Sequence, residues 1–167
     1  MKNFTTRKLV RAGIVAGLYV GLTLIFLPFS FSGIQFRPAE GLTFLPVFFG
    51  DSVISLFVGC VLVNLFSSFG ILDIVIGGLT TLVASLLTRL IYKKTNSIYL
   101  ALFPQVLLNA IFVPLIIYLS GATEGYFINF VSIFISQAIS VYGIGVPLYY
   151  LFRKQKRKKT GIFKDEP

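Results

Sequence analysis

Long apolar runs separated by short polar breaks make up most of this chain. The runs cover residues 9–29, 38–66, 72–92, 98–119 and 126–152. Runs of about 20 apolar residues have the length of helices that cross a lipid bilayer. The pattern therefore predicts an all-α membrane protein and leaves no room for a soluble catalytic module.

The run from Pro38 to Phe66 can be interpreted as one long tilted helix or as two short ones. One helix gives five spans and leaves the later basic clusters outside, whereas two give six spans with every basic cluster inside. The preference of Lys and Arg for the cytoplasmic side favours six. Gly50 would then end a short second span, Ala39–Phe49, and Asp51 with Ser52 would cap the third.

The six-span interpretation sets the boundaries at Leu9–Phe29, Ala39–Phe49, Ser52–Phe66, Leu72–Tyr92, Ile98–Leu119 and Tyr126–Phe152. Residues 1–152 would form a single transmembrane domain, followed by a basic cytoplasmic tail at 153–167, with both termini cytoplasmic. The first run is too long for the apolar part of a signal peptide and ends in a poor cleavage site, so we expect a retained helix.

Composition agrees with a membrane protein. Hydrophobic residues make up 56% of the chain and charged residues 13%, against about 25% charged in an average soluble domain. The formal net charge of +9 is concentrated at the ends, which suits an anionic inner leaflet better than nucleic acid. The chain has no His, a single Cys and no Walker loop. We therefore expect no enzyme activity, no catalytic residue, no metal and no cofactor, and no ability to energise transport alone.

Several polar side chains lie within or beside the apolar runs, most densely in the stretch 33–46. The candidates are Gln35, Arg37, Glu40, Asn64, Asp73, Gln105, Asn109, Asn129 and Gln137. Such groups cost several kcal/mol at membrane depth unless they are paired or hydrated, so they indicate function. With the aromatic side chains they predict a cavity that opens outward and binds a flat, polar solute.

Structural roles remain open for most of these residues. Glu40 and Asp73 lie where acids cap helix N-termini. Arg37 is either an interfacial anchor or the ion-pair partner of Glu40, and Asn64 and Asn129 are also suited to hydrogen bonds between helices. Gln105 and Asn109 are hardest to explain structurally, because two amides four residues apart share one apolar helix face.

The first span carries small residues at intervals of four. Ala12 and Ala16 form one such pair, and Gly13, Gly17 and Gly21 line an adjoining face. Small residues let a second helix approach closely in lipid. Both packing within the chain and docking of a partner subunit are compatible with this pattern.

Three stretches resemble QueT-type proteins: IQFRPAEGLTFLP (34–46), FGILDIVIGGLTTLVASLLTRL (69–90) and PQVLLNA (104–110). These are substrate-binding S components of energy-coupling factor (ECF) transporters of the cell membrane, thought to import a queuosine precursor. The resemblance implies six helices, an outer pocket closed by the loop between spans one and two, and a partner complex. That complex would contain a transmembrane coupling protein and two ATPase subunits, docked through Ala12 and Ala16.

The resemblance also implies a 7-deazaguanine-like ligand. Glu40 or Asp73 would accept the adjacent N–H donors of the base, and Phe36 or Tyr142 would stack on its ring. Gln105, Asn109 and Gln137 would serve its carbonyl and ring nitrogens, with Gln35, Arg37 and Asn129 completing the site. Two alternatives stay open: the same architecture for another vitamin or nucleobase, and a membrane scaffold that transports nothing.

Overall fold

The computed structural model describes residues 6–30, 36–121 and 125–158, and every regular element in these ranges is helical. The elements are α1 (Thr6–Ile25), α2 (Leu27–Ser30), a 3₁₀ segment (Pro38–Val47), α3 (Ser52–Asn64), a π turn (Asp73–Gly77) continuing into α4 (Gly78–Thr95), α5 (Ile98–Leu119), α6 (Tyr126–Ala138), a π segment (Ile139–Gly145) and α7 (Val146–Arg157). The predicted all-α class is confirmed.

Four of these helices are long and apolar enough to cross a membrane. They are Thr6–Ile25, Asp73–Thr95, Ile98–Leu119 and Tyr126–Arg157. The apolar helix α3 has 13 residues and the 3₁₀ segment has ten, so both are shorter than a full crossing. The structure thus supports a membrane protein, while the count of six spans and the side of the termini remain predictions.

The predicted break at Gly50 and Asp51 is present, but its details differ from the prediction. The second span is a 3₁₀ segment, not an α-helix, and Pro46 within it has no backbone N–H to donate. Asp51 makes no side-chain cap on α3. Its carboxylate instead accepts two hydrogen bonds from Arg11, from Nε at 2.9 Å and from Nη2 at 2.8 Å.

The C-terminal boundary also differs. Helix α7 continues to Arg157, five residues beyond the predicted end of the sixth span. The first part of the predicted tail is therefore helical, and residues 159–167 lie outside the described part of the chain.

The 3₁₀ segment lies at the centre of the packing, with eight of its ten residues buried. It contacts the π segment almost backbone to backbone, because a Cβ on Gly145 would lie 3.0 Å from the carbonyl oxygen of Gly41. Gly59 of α3 likewise lets α1 approach, since a Cβ there would lie 3.0 Å from Cβ of Tyr19. Both contacts depend on glycine.

One end of the bundle collects basic side chains, and we call it the basic end. The Arg11 guanidinium lies 4.0 Å from the centre of the Phe49 ring. Arg89 donates to the Pro46 carbonyl at 3.2 Å, and the Lys156 ammonium lies 6.0 Å from the centre of the phenyl ring at position 48. The start of α1, the turn after the 3₁₀ segment and the ends of α4 and α7 therefore meet here.

Candidate solute-binding site

The start of the 3₁₀ segment, away from the basic end, carries a buried ion pair. Arg37 is 4% exposed, and its Nε donates to the Ser30 carbonyl at 3.0 Å. Its Nη2 lies 3.7 Å from Oδ2 of Asp73, the first residue of the π turn before α4. Asn64, at the end of α3, donates from Nδ2 to the backbone carbonyl of Asp73 at 2.7 Å. Three helical elements thus converge on one acidic residue.

The carboxylate of Asp73 is only partly satisfied by these contacts. At 3.7 Å its ion pair with Arg37 is too long for a hydrogen bond. Neither carboxylate oxygen has a hydrogen-bond partner among the described residues, although the side chain is 1% exposed. Asp73 makes no side-chain cap, and it is Asp73, not Glu40, that lies at ion-pair distance from Arg37 in the described ranges. The helix-cap role considered for Asp73 and the ion pair considered between Arg37 and Glu40 are therefore both wrong.

Glu40 lies three residues after Arg37 and has a different environment. Its Oε1 accepts a hydrogen bond from the Tyr19 hydroxyl at 2.6 Å, and its Oε2 accepts one from Nε2 of Gln105 at 2.7 Å. These bonds tie α1, the 3₁₀ segment and α5 together, so the carboxylate links helices and does not cap its own segment.

Sequence reasoning missed Tyr19. Besides its small residues, α1 has a second pattern at four-residue spacing. It consists of Val15, Tyr19 and Thr23, which are the buried residues of that helix. This spacing places the three side chains on one face. A tyrosine at its centre could have been identified as a hydroxyl directed into the protein.

Gly77, the last residue of the π turn, makes room for the ion pair. A Cβ at this position would lie 2.7 Å from Nδ2 of Asn64 and 2.9 Å from Oδ1 of Asp73. Both separations are shorter than any relaxed contact. Only glycine allows the carboxylate and the amide to stay where they are.

Helices α5 and α6 contribute four buried amide side chains, at positions 105, 109, 129 and 137. Asn109 donates from Nδ2 to the backbone carbonyl of Gln105 at 3.0 Å. Within the described ranges, no partner reaches Nδ2 of Asn129, Oε1 of Gln137 or Oε1 of Gln105. Unmet polar atoms of this kind are uncommon in protein interiors, and each calls for an explanation.

The remaining predicted site residues are placed less centrally. Phe36 is partly buried beside the ion pair, and its carbonyl accepts a 3.4 Å hydrogen bond from Ser30. Tyr142 contacts the start of α5, where its hydroxyl donates to the Tyr99 carbonyl at 3.0 Å and its ring stacks on the Tyr99 ring. Gln35 lies outside the described residues.

Taken together, the site offers buried carboxylate and amide groups between apolar helices. Arg37, Glu40 and Asp73 carry one positive and two negative formal charges. Buried acceptors of this type suit a small solute that has several N–H donors. In the described ranges, no group of His, Cys, Asp and Glu residues could hold a metal ion.

Comparison with known proteins identifies the family of the chain. The sequence model of the QueT transporter family matches residues 9–154. A curated relative, "Queuosine precursor transporter QueT" of Lactococcus lactis subsp. cremoris (strain MG1363), is 38% identical over 101 residues, which is 59% of this chain and 59% of the relative. No solved structure matches the chain significantly. Because the family match covers most of the sequence, including every predicted site residue, this membrane protein belongs to the QueT transporter family.

Proposed function

We propose that this protein is the substrate-binding subunit of an ECF-type importer in the cell membrane. It would cross the membrane six times with both termini cytoplasmic. It would capture a queuosine precursor, a 7-deazaguanine-like base, from outside the cell. The curated relative is named a queuosine precursor transporter, and the match spans 59% of its length. The substrate is therefore extended to this chain as a proposal.

The observation that carries the proposal is the carboxylate of Asp73. It is buried, its Oδ2 lies 3.7 Å from Nη2 of Arg37, and its two oxygens accept no hydrogen bond from the described residues. A buried acceptor without a partner costs about 1–3 kcal/mol, and a charged one costs more. A ligand with two adjacent N–H donors would satisfy both oxygens at once.

A 7-deazaguanine has that donor pair, formed by a ring N–H and the neighbouring amino group. Asp73 would bind this edge, and Arg37 would contribute a donor for the ring carbonyl. Asn109, Asn129 and Gln137 would complete the polar rim, and Phe36 would contribute an aromatic face. Tyr142 is a weaker stacking candidate, because its hydroxyl and its ring both contact Tyr99.

Mass spectrometry tests the substrate directly. The protein would be purified in detergent and denatured, and the released small molecule would be identified. A near-stoichiometric 7-deazaguanine derivative is expected. Another vitamin or nucleobase would keep the transport mechanism and overturn the substrate. No ligand, together with no affinity for a panel of bases and vitamins, would favour the scaffold alternative.

Helix α1 supports the proposed coupling to a partner. Ala12 and Ala16 are half-buried, and beside them Gly13 and Gly17 are exposed, with no atom within 4 Å of the position that a Cβ would occupy on either glycine. This face thus leaves space for another helix to approach closely. The proposed occupant is the ECF coupling protein, which would carry two ATPases and supply the energy for release.

Copurification tests this docking surface. After co-expression with an ECF coupling protein and its ATPases, the wild-type chain should retain all three subunits. Replacing Ala12 and Ala16 together by Leu should remove them without changing ligand affinity. Val83→Leu, at a residue of α4 that is 46% exposed, is the matched control and should retain them. Retention by the double variant would exclude docking through this face.

A further inference from the structure

The orientation of one buried amide is fixed by its neighbour. Gln105 is fully buried on α5, and its side-chain nitrogen lies 2.7 Å from Oε2 of Glu40. An ionised carboxylate only accepts hydrogen bonds, so the amide nitrogen must face it. The amide oxygen of Gln105 is consequently directed elsewhere, and it has no hydrogen-bond partner in the part of the chain that the structure describes.

From this geometry we infer that Gln105 is a specificity-determining residue and that Glu40 is its positioning residue. Gln105 presents an oxygen acceptor to an N–H group of the solute, and Glu40 sets that polarity. The inference rests on the proposed function and makes it more specific. Because one amide hydrogen is donated to Glu40, the amide oxygen faces away from that carboxylate, and through it Gln105 accepts a hydrogen bond from a ligand donor.

Two hydrogen bonds fix the Glu40 carboxylate in the position from which it orients Gln105. Its other oxygen accepts the 2.6 Å hydrogen bond from Tyr19, so both oxygens are occupied by protein donors. A carboxylate with both oxygens occupied has little capacity left for a solute, which distinguishes Glu40 from Asp73.

A second amide shows the same arrangement beside the ion pair. Asn64 donates from Nδ2 to the Asp73 carbonyl at 2.7 Å, which fixes its amide orientation too. Its Oδ1 lacks a partner among the described residues, as do both carboxylate oxygens of Asp73. Four buried acceptor atoms are thus available: one on Gln105, one on Asn64 and two on Asp73. A solute that places acceptors against them would be repelled.

The amino group of a 7-deazaguanine has two hydrogens, so the base needs a further acceptor besides the carboxylate of Asp73. If Asp73 accepts the ring N–H and one amino hydrogen, the second amino hydrogen still needs an acceptor. The oxygen of Gln105 has the required polarity. A carbonyl at the same ring position would face that oxygen unfavourably.

The test compares two ligands by calorimetry on the full-length protein in detergent. 7-Deazaguanine carries an amino donor at the position where 7-deazaxanthine carries a carbonyl acceptor. The wild-type protein should prefer 7-deazaguanine by about 100-fold. Glu40→Gln should reduce this preference by about tenfold or more, because an amide at position 40 can also donate a hydrogen bond to the oxygen of a reversed Gln105 amide. One lost or gained hydrogen bond corresponds to roughly that factor.

Tyr19→Phe is the matched control. It removes a hydrogen bond from the same carboxylate but leaves the contact between Glu40 and Gln105 in place. It should weaken binding of both bases equally and preserve their ratio. A purely structural role of Glu40 would also weaken both equally, so an unchanged ratio in Glu40→Gln overturns the inference.

A second variant keeps the test decisive if Glu40→Gln does not fold. Gln105→Met has similar length and no acceptor. It should weaken 7-deazaguanine binding by about tenfold and leave 7-deazaxanthine binding unchanged or improved. Equal losses for both bases overturn the inference while leaving the proposed function intact. Failure of the wild-type protein to bind either base would overturn both.

Discussion

Two arginine–aspartate pairs hold opposite ends of this molecule, and they differ in how complete they are. At the basic end, Arg11 and Asp51 form two parallel hydrogen bonds of 2.9 and 2.8 Å. At the other end, Arg37 and Asp73 are separated by 3.7 Å, and neither carboxylate oxygen is hydrogen-bonded by a described residue. The more buried pair has the poorer geometry.

If both pairs only stabilised the fold, the buried pair would be expected to have the shorter, better aligned contacts. A charge removed from water needs close, well-aligned partners, whereas a partly exposed pair tolerates poor geometry at little cost. The basic-end pair is therefore a structural connection between α1 and the turn before α3. The buried pair is better explained as a site whose last partners arrive with a solute, and the following variants test that distinction.

The largest effect is expected from Asp73→Asn. The substitution keeps the shape of the side chain but removes its charge and replaces one acceptor by a donor. Hydrogen bonds to charged groups contribute about 1.5–3 kcal/mol each, so losing one and replacing the other by a weaker bond to a neutral oxygen should reduce ligand affinity by about 100-fold. Asp51→Asn, the same change at the basic end, should alter the affinity by less than about threefold. Calorimetry on both variants checks this, and equal losses would erase the distinction between the pairs.

Gly77→Ala should have the next largest effect. The added methyl group would lie 2.7 Å from Nδ2 of Asn64 and 2.9 Å from Oδ1 of Asp73, so both must move. Ligand affinity should fall by about tenfold, which corresponds to one disturbed hydrogen bond. Gly17→Ala is the control, since its Cβ meets nothing within 4 Å. Unchanged affinity in Gly77→Ala would show that the π turn does not shape the site.

At the basic end, Asp51→Asn should lower the free energy of unfolding by at most about 1 kcal/mol, as for other partly exposed pairs. Burial raises the pKa of the Asp51 carboxyl, but the hydrogen bonds from Arg11 and from its own backbone, together with the positive charges of Arg11 and Lys8, outweigh that effect, and the net pKa is lowered. The stabilisation is therefore present above the unfolded-state pKa, about 3.9, and is lost as the pH falls through the folded-state value.

Unfolding of wild type and Asp51→Asn, measured at neutral pH and below about pH 3, checks this dependence. The difference between the two proteins should be seen at neutral pH and should disappear in acid. A difference that persists in acid would mean that Asp51 stabilises the fold by something other than its charge.

The smallest effect is expected at Tyr142. Its hydroxyl and ring contact Tyr99 at the start of α5, so Tyr142→Phe should remove one hydrogen bond and leave ligand affinity unchanged. Phe36→Leu, at the edge of the ion pair, should weaken binding because the aromatic face is lost. A large effect at Tyr142 with none at Phe36 would reverse the choice between the two stacking candidates.

Much of the fold follows from sequence because hydrophobic length and helix breakers act locally. The predicted fifth span, Ile98–Leu119, coincides with α5, and charge placement predicts a break whose position is marked by Gly50 and Asp51. The 3₁₀ winding does not follow from the sequence. Apolar content does not distinguish ten residues wound at three per turn from ten wound at 3.6.

The sequence predicts which residues belong to the candidate site better than it predicts which of them contact each other. Arg37, Glu40 and Asp73 attract attention in any apolar sequence, because charges are costly there. Their partners depend on how helices distant in sequence pack, so the pairing of Arg37 with Asp73 and of Glu40 with Tyr19 had to come from the structure. The missed role of Tyr19 shows the same limit.

The length of the 3₁₀ segment can be compared with the thickness of a lipid bilayer. Ten residues that rise about 2.0 Å each span about 20 Å, and the 13 residues of α3 beside it span a similar length at about 1.5 Å each. A typical hydrocarbon core is about 30 Å thick. If both elements cross the membrane as proposed, this side of the bundle would be about 10 Å too short for its bilayer, a mismatch that surrounding lipid would meet by thinning. A solute that binds as proposed would then have correspondingly less membrane to enter before it reaches Asp73, and a thicker bilayer would lengthen that path.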